Sequence, residues 1–183
     1  MPFRTTDIAD LLIFEPVVYT DNRGYFFESY NELTFTREGI SNRFVQDNQS
    51  YSAYGVIRGL HYQLDPYAQT KLVRVLQGKI LDAAVDLRRS SKTFGETFSI
   101  ELSSENKLQL LIPRGFAHGF SVLSETAEVS YKCDGLYNKE SEGGIRYDDP
   151  QLGIDWQIPA GKTVVSAKDL ALPLFAECRN NFK

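Results

Sequence analysis

KLVRVLQGKILDAAVDLR, residues 71–88, reads as two strands joined at a single glycine. Its halves are rich in Val, Ile and Leu, and Gly78 suits a tight connection between them. In the second half Leu81, Ala83, Val85 and Leu87 fall on one face, and Asp82, Ala84 and Asp86 on the other. That two-residue period is the signature of a strand. Outward from this stretch, RFVQDNQSYS, GVIRGLHYQ, TFSIELS, LQLLIP, AHGFSVLS and AEVSYK bring the count to about eight candidate strands, separated by turn residues. Helical signal is thin. NELTFTREG predicts a short helix capped by Asn31 and ended by Gly39, and SAKDLAL a second near the C-terminus. The long amphipathic crossovers of a parallel α/β protein are missing. The expectation is therefore all-β: an antiparallel double-sheet jelly-roll barrel with a few short peripheral helices, forming one domain over residues 1–183. Such a barrel has open ends and can enclose a small-ligand cavity.

Composition narrows the function. The chain is 42% apolar and 24% charged, with 12 Phe and 10 Tyr, and its net charge of -4 supplies no basic field for nucleic acid or an acidic membrane. An anionic ligand would need local Arg and Lys. The N-terminal apolar run, Leu11 to Phe14, is too short for a signal peptide or a membrane span. Cys133 and Cys178 are far apart and form no metal pattern, which fits two free thiols in a reducing cytoplasm.

Polar residues interrupt the strand pattern in two places. In FVQDNQS, Gln46, Asn48 and Ser50 share one face, and Val45, Asp47 and Gln49 the other. Both faces are polar, so at least one of these rows points into the barrel, or the stretch is an exposed edge strand. In RGLHYQ, His61 and Gln63 share a face with Gly59, where a missing side chain leaves room. His61 and His118 are the two histidines of the chain, and glycines 55, 59, 115 and 119 flank them. A lone histidine is commonly a satisfied structural group, but these glycines permit close approach by a ligand or by backbone.

Gly55 preceding His61 by six residues, and Pro113-x-Gly115-x-x-His118, resemble the two halves of the cupin motif. A metal-binding cupin adds a second histidine two residues after the first and a downstream glutamate. Here that position is Gln63. Since a metal takes about three or four protein ligands, the expected barrel is metal-free, and His61 is directed toward proton transfer.

The longer pattern is more specific. The stretch from FVQDNQSYSAYG through RGLHYQLDPYAQTKLVRVLQG to SSKTFG, with LIPRGFAHGF, AEVSYKC and DDPQLGIDW, resembles the dTDP-4-dehydrorhamnose 3,5-epimerase family, over nearly the whole chain from DNRGYFFESY to SAKDLALP. The resemblance implies a cupin-type homodimer in the cytoplasm with no metal or organic cofactor. It implies a substrate, dTDP-4-dehydro-6-deoxy-D-glucose, epimerised at C3 and C5 on the way to dTDP-L-rhamnose. It also implies roles: His61 as base, Asp169 as its partner, Tyr131 as the acid opposite, and Lys71 at the keto oxygen. Arg23, Phe26, Glu28, Gln46, Asn48, Arg58, His118 and Tyr137 match positions that hold the nucleotide-sugar, the 23–28 segment reaching into the neighbouring subunit.

The chemistry fits these residue types. Hydrogens on both carbons beside a ketone are acidic, and epimerisation needs a base, a cation for the enolate oxygen and an acid on the opposite face. Losing one such stabilising group costs about 3 kcal/mol of barrier. Arginine suits a diphosphate. Asp169 reads equally as part of a capping box with Ser166. The chain departs from the family at Leu136, where an aromatic residue able to contact the nucleobase is frequent, so thymine packing is expected to differ. Two other readings stand beside the double epimerase. One is a single-carbon epimerase or ketoisomerase in the same barrel, and the other a carbohydrate-binding jelly roll without catalysis.

Overall fold

Residues 71–88 form two strands, yet these do not pair with each other. The computed structural model describes residues 2–183, and in it the chain changes sheets at Gly78. This glycine has φ +78°, and a Cβ there would lie 2.1 Å from the Thr126 carbonyl oxygen, so the corner admits no side chain. The strands are β1 (Phe3–Thr5), β2 (Leu12–Phe14), β3 (Val18–Asp21), β4 (Gly24–Phe27), β5 (Gln46–Ala53), β6 (Val56–Gln63) and β7 (Lys71–Gln77). They continue as β8 (Lys79–Asp86), β9 (Thr97–Ser103), β10 (Gln109–Ile112), β11 (Phe116–Val122), β12 (Thr126–Cys133), β13 (Glu142–Gly144) and β14 (Val164–Val165). One sheet runs β1-β2-β10-β7-β12-β5 and the other β13-β6-β11-β8-β9, with β14 added parallel to β6. The two form the expected jelly roll. A separate ribbon, β3-β4, carries Tyr19, Tyr25 and Phe26 into solvent.

Between the sheets, Val73, Val75, Leu110, Ile112 and Val129 meet Ile80, Leu102, Phe116, Phe120 and Val122 in one buried core. Burying each such side chain stabilises the fold by about 1.5–3 kcal/mol. The second sheet is covered on its outer face as well. There Ala83, Val85 and Leu87 pack under Ile145, Trp156, Phe175 and Phe182 from the C-terminal segment. Strand β8 is thus dry on both sides. Ala84 belongs to the inner core, so the face it shares with Asp82 and Asp86 turns into the barrel, and both carboxylates are fully buried.

Helix α1 (Glu32–Arg37) is capped by Asn31, whose side chain accepts from Leu33 and Thr34, and Gly39 follows its end with φ +85°. The second helix, α2 (Ala167–Leu170), is a single turn capped by Ser166. Both cysteines are free, Cys133 buried and Cys178 partly so. Among the described residues no helix is long and apolar enough to cross a membrane.

Candidate active site

A two-lobed cavity opens between the sheets. One lobe, of about 510 Å³, is lined by Ser50, Arg58, His61, Lys71, His118 and Tyr131 together with Val164, Val165, Ser166, Lys168 and Asp169. The other, of about 340 Å³, takes in Gln46, Asn48, Gln63, Gln69, Tyr137 and Glu142. His61, Lys71 and Tyr131 line both lobes and so stand where they join.

His61 comes from β6 and faces the cavity because that strand is irregular. Across the β6–β11 pair, His118 is opposite His61 but Phe120 is opposite Arg58, so β6 carries one residue more than its partner. The extra residue resets the alternation. Regular parity would have placed Arg58 on the face away from His61, but both line the cavity. The room expected beside Gly59 is taken by backbone: a Cβ there would lie 2.5 Å from Gly119 Cα and 2.8 Å from the His118 carbonyl oxygen. The two glycines serve strand packing, not ligand entry.

His61 Nε2 lies 2.7 Å from Asp169 Oδ1, joining residues 108 positions apart. Asp169 Oδ2 also accepts from the Gly59 N–H at 3.3 Å, and the Asp169 N–H donates to Ser166 Oγ at 3.0 Å. The capping role and the histidine contact therefore hold together: the cap builds the turn that aims the carboxylate. Burial opposes ionisation of Asp169, but the bonds from His61, Gly59 and Ser166 outweigh it and hold its pKa below the usual carboxylate range. With Nε2 turned to Asp169, Nδ1 is the nitrogen available to take a proton from a ligand.

Tyr131 stands across the cavity on β12, in the opposite sheet. Burial, with Cys133 nearby, raises its pKa, while Arg58 works the other way; the phenol is held protonated. Lys71, at the start of β7, has its pKa pushed down by burial, against which Cys133, Asp82 and Glu142 favour the charged form. Its ammonium lies 6.0 Å from the Tyr131 ring centre. His118 Nε2 sits 2.7 Å from Asp82 Oδ1, wholly inside the barrel.

The polar row of β5 is an edge strand and also a cavity wall. Gln46 and Asn48 line the second lobe, bonded to each other at 3.0 Å, while Asp47 is exposed and Gln49, also exposed, borders the first lobe. Arg58 Nε donates to Ser52 Oγ at 3.0 Å, tying the sheets across the cleft. Tyr137 stands exposed at the mouth, its N–H donating to Gln46 Oε1 and its hydroxyl 3.3 Å from Glu142 Oε2; Leu136 points to solvent. Gln63 donates to the carbonyls of Tyr67 and Leu136 and accepts from the Asn138 N–H at 2.7 Å, pinning the loop that carries Tyr137. Among the described residues no three His, Cys, Asp or Glu side chains gather in a group able to hold a metal ion.

Arg23, Phe26 and Glu28 stay outside this cavity within the single chain. Arg23 pairs with Asp21 at the tip of the β3-β4 ribbon, Phe26 is 71% exposed, and Glu28 accepts from Asn31. Gln69, Glu142, Lys168 and Asp82 went unread in the sequence as parts of the site. Glu142 and Lys168 form an ion pair of 2.6 Å at the mouth, with Glu142 lowered in pKa against its burial by that bond. Asp82 was visible as a polar interruption of β8, but nothing local tied it to His118.

The sequence model of the family described as dTDP-4-dehydrorhamnose 3,5-epimerase matches residues 5–177. A dTDP-4-dehydrorhamnose 3,5-epimerase of Shigella flexneri is 52% identical over 166 residues, covering 90% of this chain and 91% of its own. The crystal structure of the enzyme of that name from Elizabethkingia anophelis superposes with a TM-score of 0.93 at 53% identity, over 98% of each chain. That of dTDP-6-deoxy-D-glucose-3,5-epimerase from Legionella pneumophila, in complex with dTDP-4-keto-L-rhamnose, gives 0.92 at 49%, over 96% of this chain and 93% of that one. With a histidine–aspartate pair, a lysine and a phenol gathered in one jelly-roll cavity, and with matches of this extent, the chain belongs to the dTDP-4-dehydrorhamnose 3,5-epimerase family.

Proposed function

We propose that this protein is an isomerase that epimerises dTDP-4-dehydro-6-deoxy-D-glucose at C3 and C5, giving dTDP-4-dehydro-L-rhamnose. One observation carries the assignment of roles: His61, paired with Asp169, faces Tyr131 across a single cavity with Lys71 beside them. His61 Nδ1 removes the proton from the carbon beside the ketone, and the electron pair passes to the C4 oxygen. Lys71 stabilises that enolate, and His118 lines the same wall. Tyr131 returns a proton to the opposite face, which inverts the carbon. The phenolate regains its proton, and the imidazolium loses its own, before the second carbon reacts. Asp169 keeps the Nε2–H tautomer and supports the imidazolium while it exists.

Arg58, Gln46, Asn48 and Tyr137 hold the nucleotide-sugar along the cleft. Arg23, Phe26 and Glu28 do so from the neighbouring subunit of a homodimer, a reading supported by the ribbon that displays them in solvent. The shared core of the two sheets supports one domain over residues 1–183, and the free thiols support a cytoplasmic enzyme. Turnover in deuterium oxide tests the reaction. Deuterium should enter both C3 and C5 of the 4-keto sugar. Label at one carbon alone would identify a single-carbon epimerase, and none at either would leave a binding protein.

A further inference from the structure

The β3-β4 ribbon pairs with no other strand, and a two-stranded hairpin is marginally stable in water on its own. Its direction is therefore set by whatever holds it to the barrel. Two contacts do so from the stretch that leads from β9 into β10. At the base of the ribbon, the buried Gln109 donates from Nε2 to the Ser29 carbonyl at 2.8 Å. Along its length, the Lys107 ammonium lies 3.9 Å from the Tyr25 ring centre and 6.0 Å from that of Phe27. At these distances an aromatic face attracts a cation.

The turn below the ribbon is built to hold Lys107 there. Ser103 Oγ accepts from the Glu105 and Asn106 N–H groups at 3.3 and 3.0 Å, and Asn106 Oδ1 from those of Ser103 and Leu108 at 3.0 and 3.1 Å. Lys107 has φ +58°, a left-handed conformation uncommon outside glycine, and its ammonium also donates to the Ser104 carbonyl. Alternation then sorts the ribbon. Tyr25 and Phe27, with Thr20 and Val18 opposite them, form the face that meets Lys107. Phe26 and Tyr19 pair on the other face, and both are exposed. The cation grips one face and leaves the other, with Arg23 at the tip, free to meet a second chain.

We propose that Lys107 is a positioning residue for the neighbouring subunit's site: it clamps the ribbon at the angle that delivers Arg23 and Phe26 to the nucleotide-sugar bound there. The assignment rests on the epimerase reading above and on the ribbon acting across the dimer. K107M keeps the aliphatic stem and removes the charge. Its KM for the 4-keto sugar nucleotide should rise about three- to tenfold, with kcat within about twofold, the fold-change of a lost cation–aromatic contact. K107R should restore most of that loss, and Y25L, which removes the ring instead, should reproduce it.

Hybrid dimers supply a readout that a merely structural role would not move. Purified through two different tags, a K107M subunit and an H61A subunit make a single working site, where the K107M chain supplies His61 and the H61A chain an intact ribbon. The KM of that hybrid, and of the Y25L–H61A hybrid, should return to the native value. A hybrid with KM still raised places the action of Lys107 within its own barrel and overturns the proposal, as does a K107M homodimer with native KM. The R23A–H61A hybrid should recover native KM too. If it does not, the ribbon does not serve the neighbour, and the proposal falls with that reading. Absence of deuterium exchange by the native enzyme would instead overturn the epimerase reading.

Discussion

His61–Asp169 and His118–Asp82 are the same two side chains at the same 2.7 Å, and their histidines are cross-strand partners on β6 and β11. Their settings differ. The His61 side chain is 33% exposed and its carboxylate is held by a helix turn, the Gly59 amide and the imidazole. The His118 side chain is 7% exposed, and Asp82 keeps one oxygen unpartnered inside the barrel. A pair with an open nitrogen facing a cavity can exchange protons with a ligand and then with solvent. A pair sealed within a sheet fixes charge and shape. Access, more than the pairing itself, separates a base from a wall.

Breaking each pair in turn should expose that division. H61A should reduce kcat by at least about 10³-fold, with dTDP-sugar affinity within a few-fold and a smaller loss of stability than H118A, because the Gly59 amide still holds the Asp169 carboxylate. A coupled turnover assay, ligand titration and urea melts together would show it. If H118A proved the more damaging to turnover, the roles of the two pairs would be exchanged. Lys71 sharpens the contrast from the opposite sheet, since Asp82 supports its charge. K71A should lower kcat about 10²-fold, near 3 kcal/mol of barrier, and weaken binding much less. Equal losses in kcat and affinity would make Lys71 a binding residue only.

The next effect is on stability. H118A strands a buried carboxylate and should destabilise the fold by about 3 kcal/mol in urea, well beyond the cost of H61A. The smallest effect is on the acid limb. Asp169 has a native pKa below its unfolded value of about 4, so its contribution is complete above that pH and fades as pH falls through the lowered native value. D169N should therefore flatten part of the stability loss below about pH 4, read from urea midpoints.

The sequence disclosed β5–β9, β11 and β12 because each runs seven or eight residues, far enough to show a two-residue period, and the four-residue β10 through its apolar run. β1–β4, β13 and β14 span two to four residues apiece, too few to show one. Gly78 was legible as a corner, but its crossing between sheets depends on which strands β7 and β8 find elsewhere. Parity sorted the polar residues of β5 into two rows without telling which faces the cavity, and Arg58 required the bulge in β6. Asp169 lies 108 positions from His61, and only the family resemblance linked them in advance. Glu142 and Lys168 carry no local mark, since charged residues at the start of a three-residue strand and on a short helix are ordinary.

Gln63 carries a consequence for how this barrel can change. It occupies the place where a metallo-cupin keeps a ligand, but its amide ties three backbone groups of the segments from Tyr67 to Asn138. Grafting a histidine at that position would supply one nitrogen to an ion and at once unfasten the rim of the binding cleft. Conversion to a metalloenzyme thus demands a rebuilt rim before any ligand is gained, and single substitutions along that route lose the old activity before they acquire a new one.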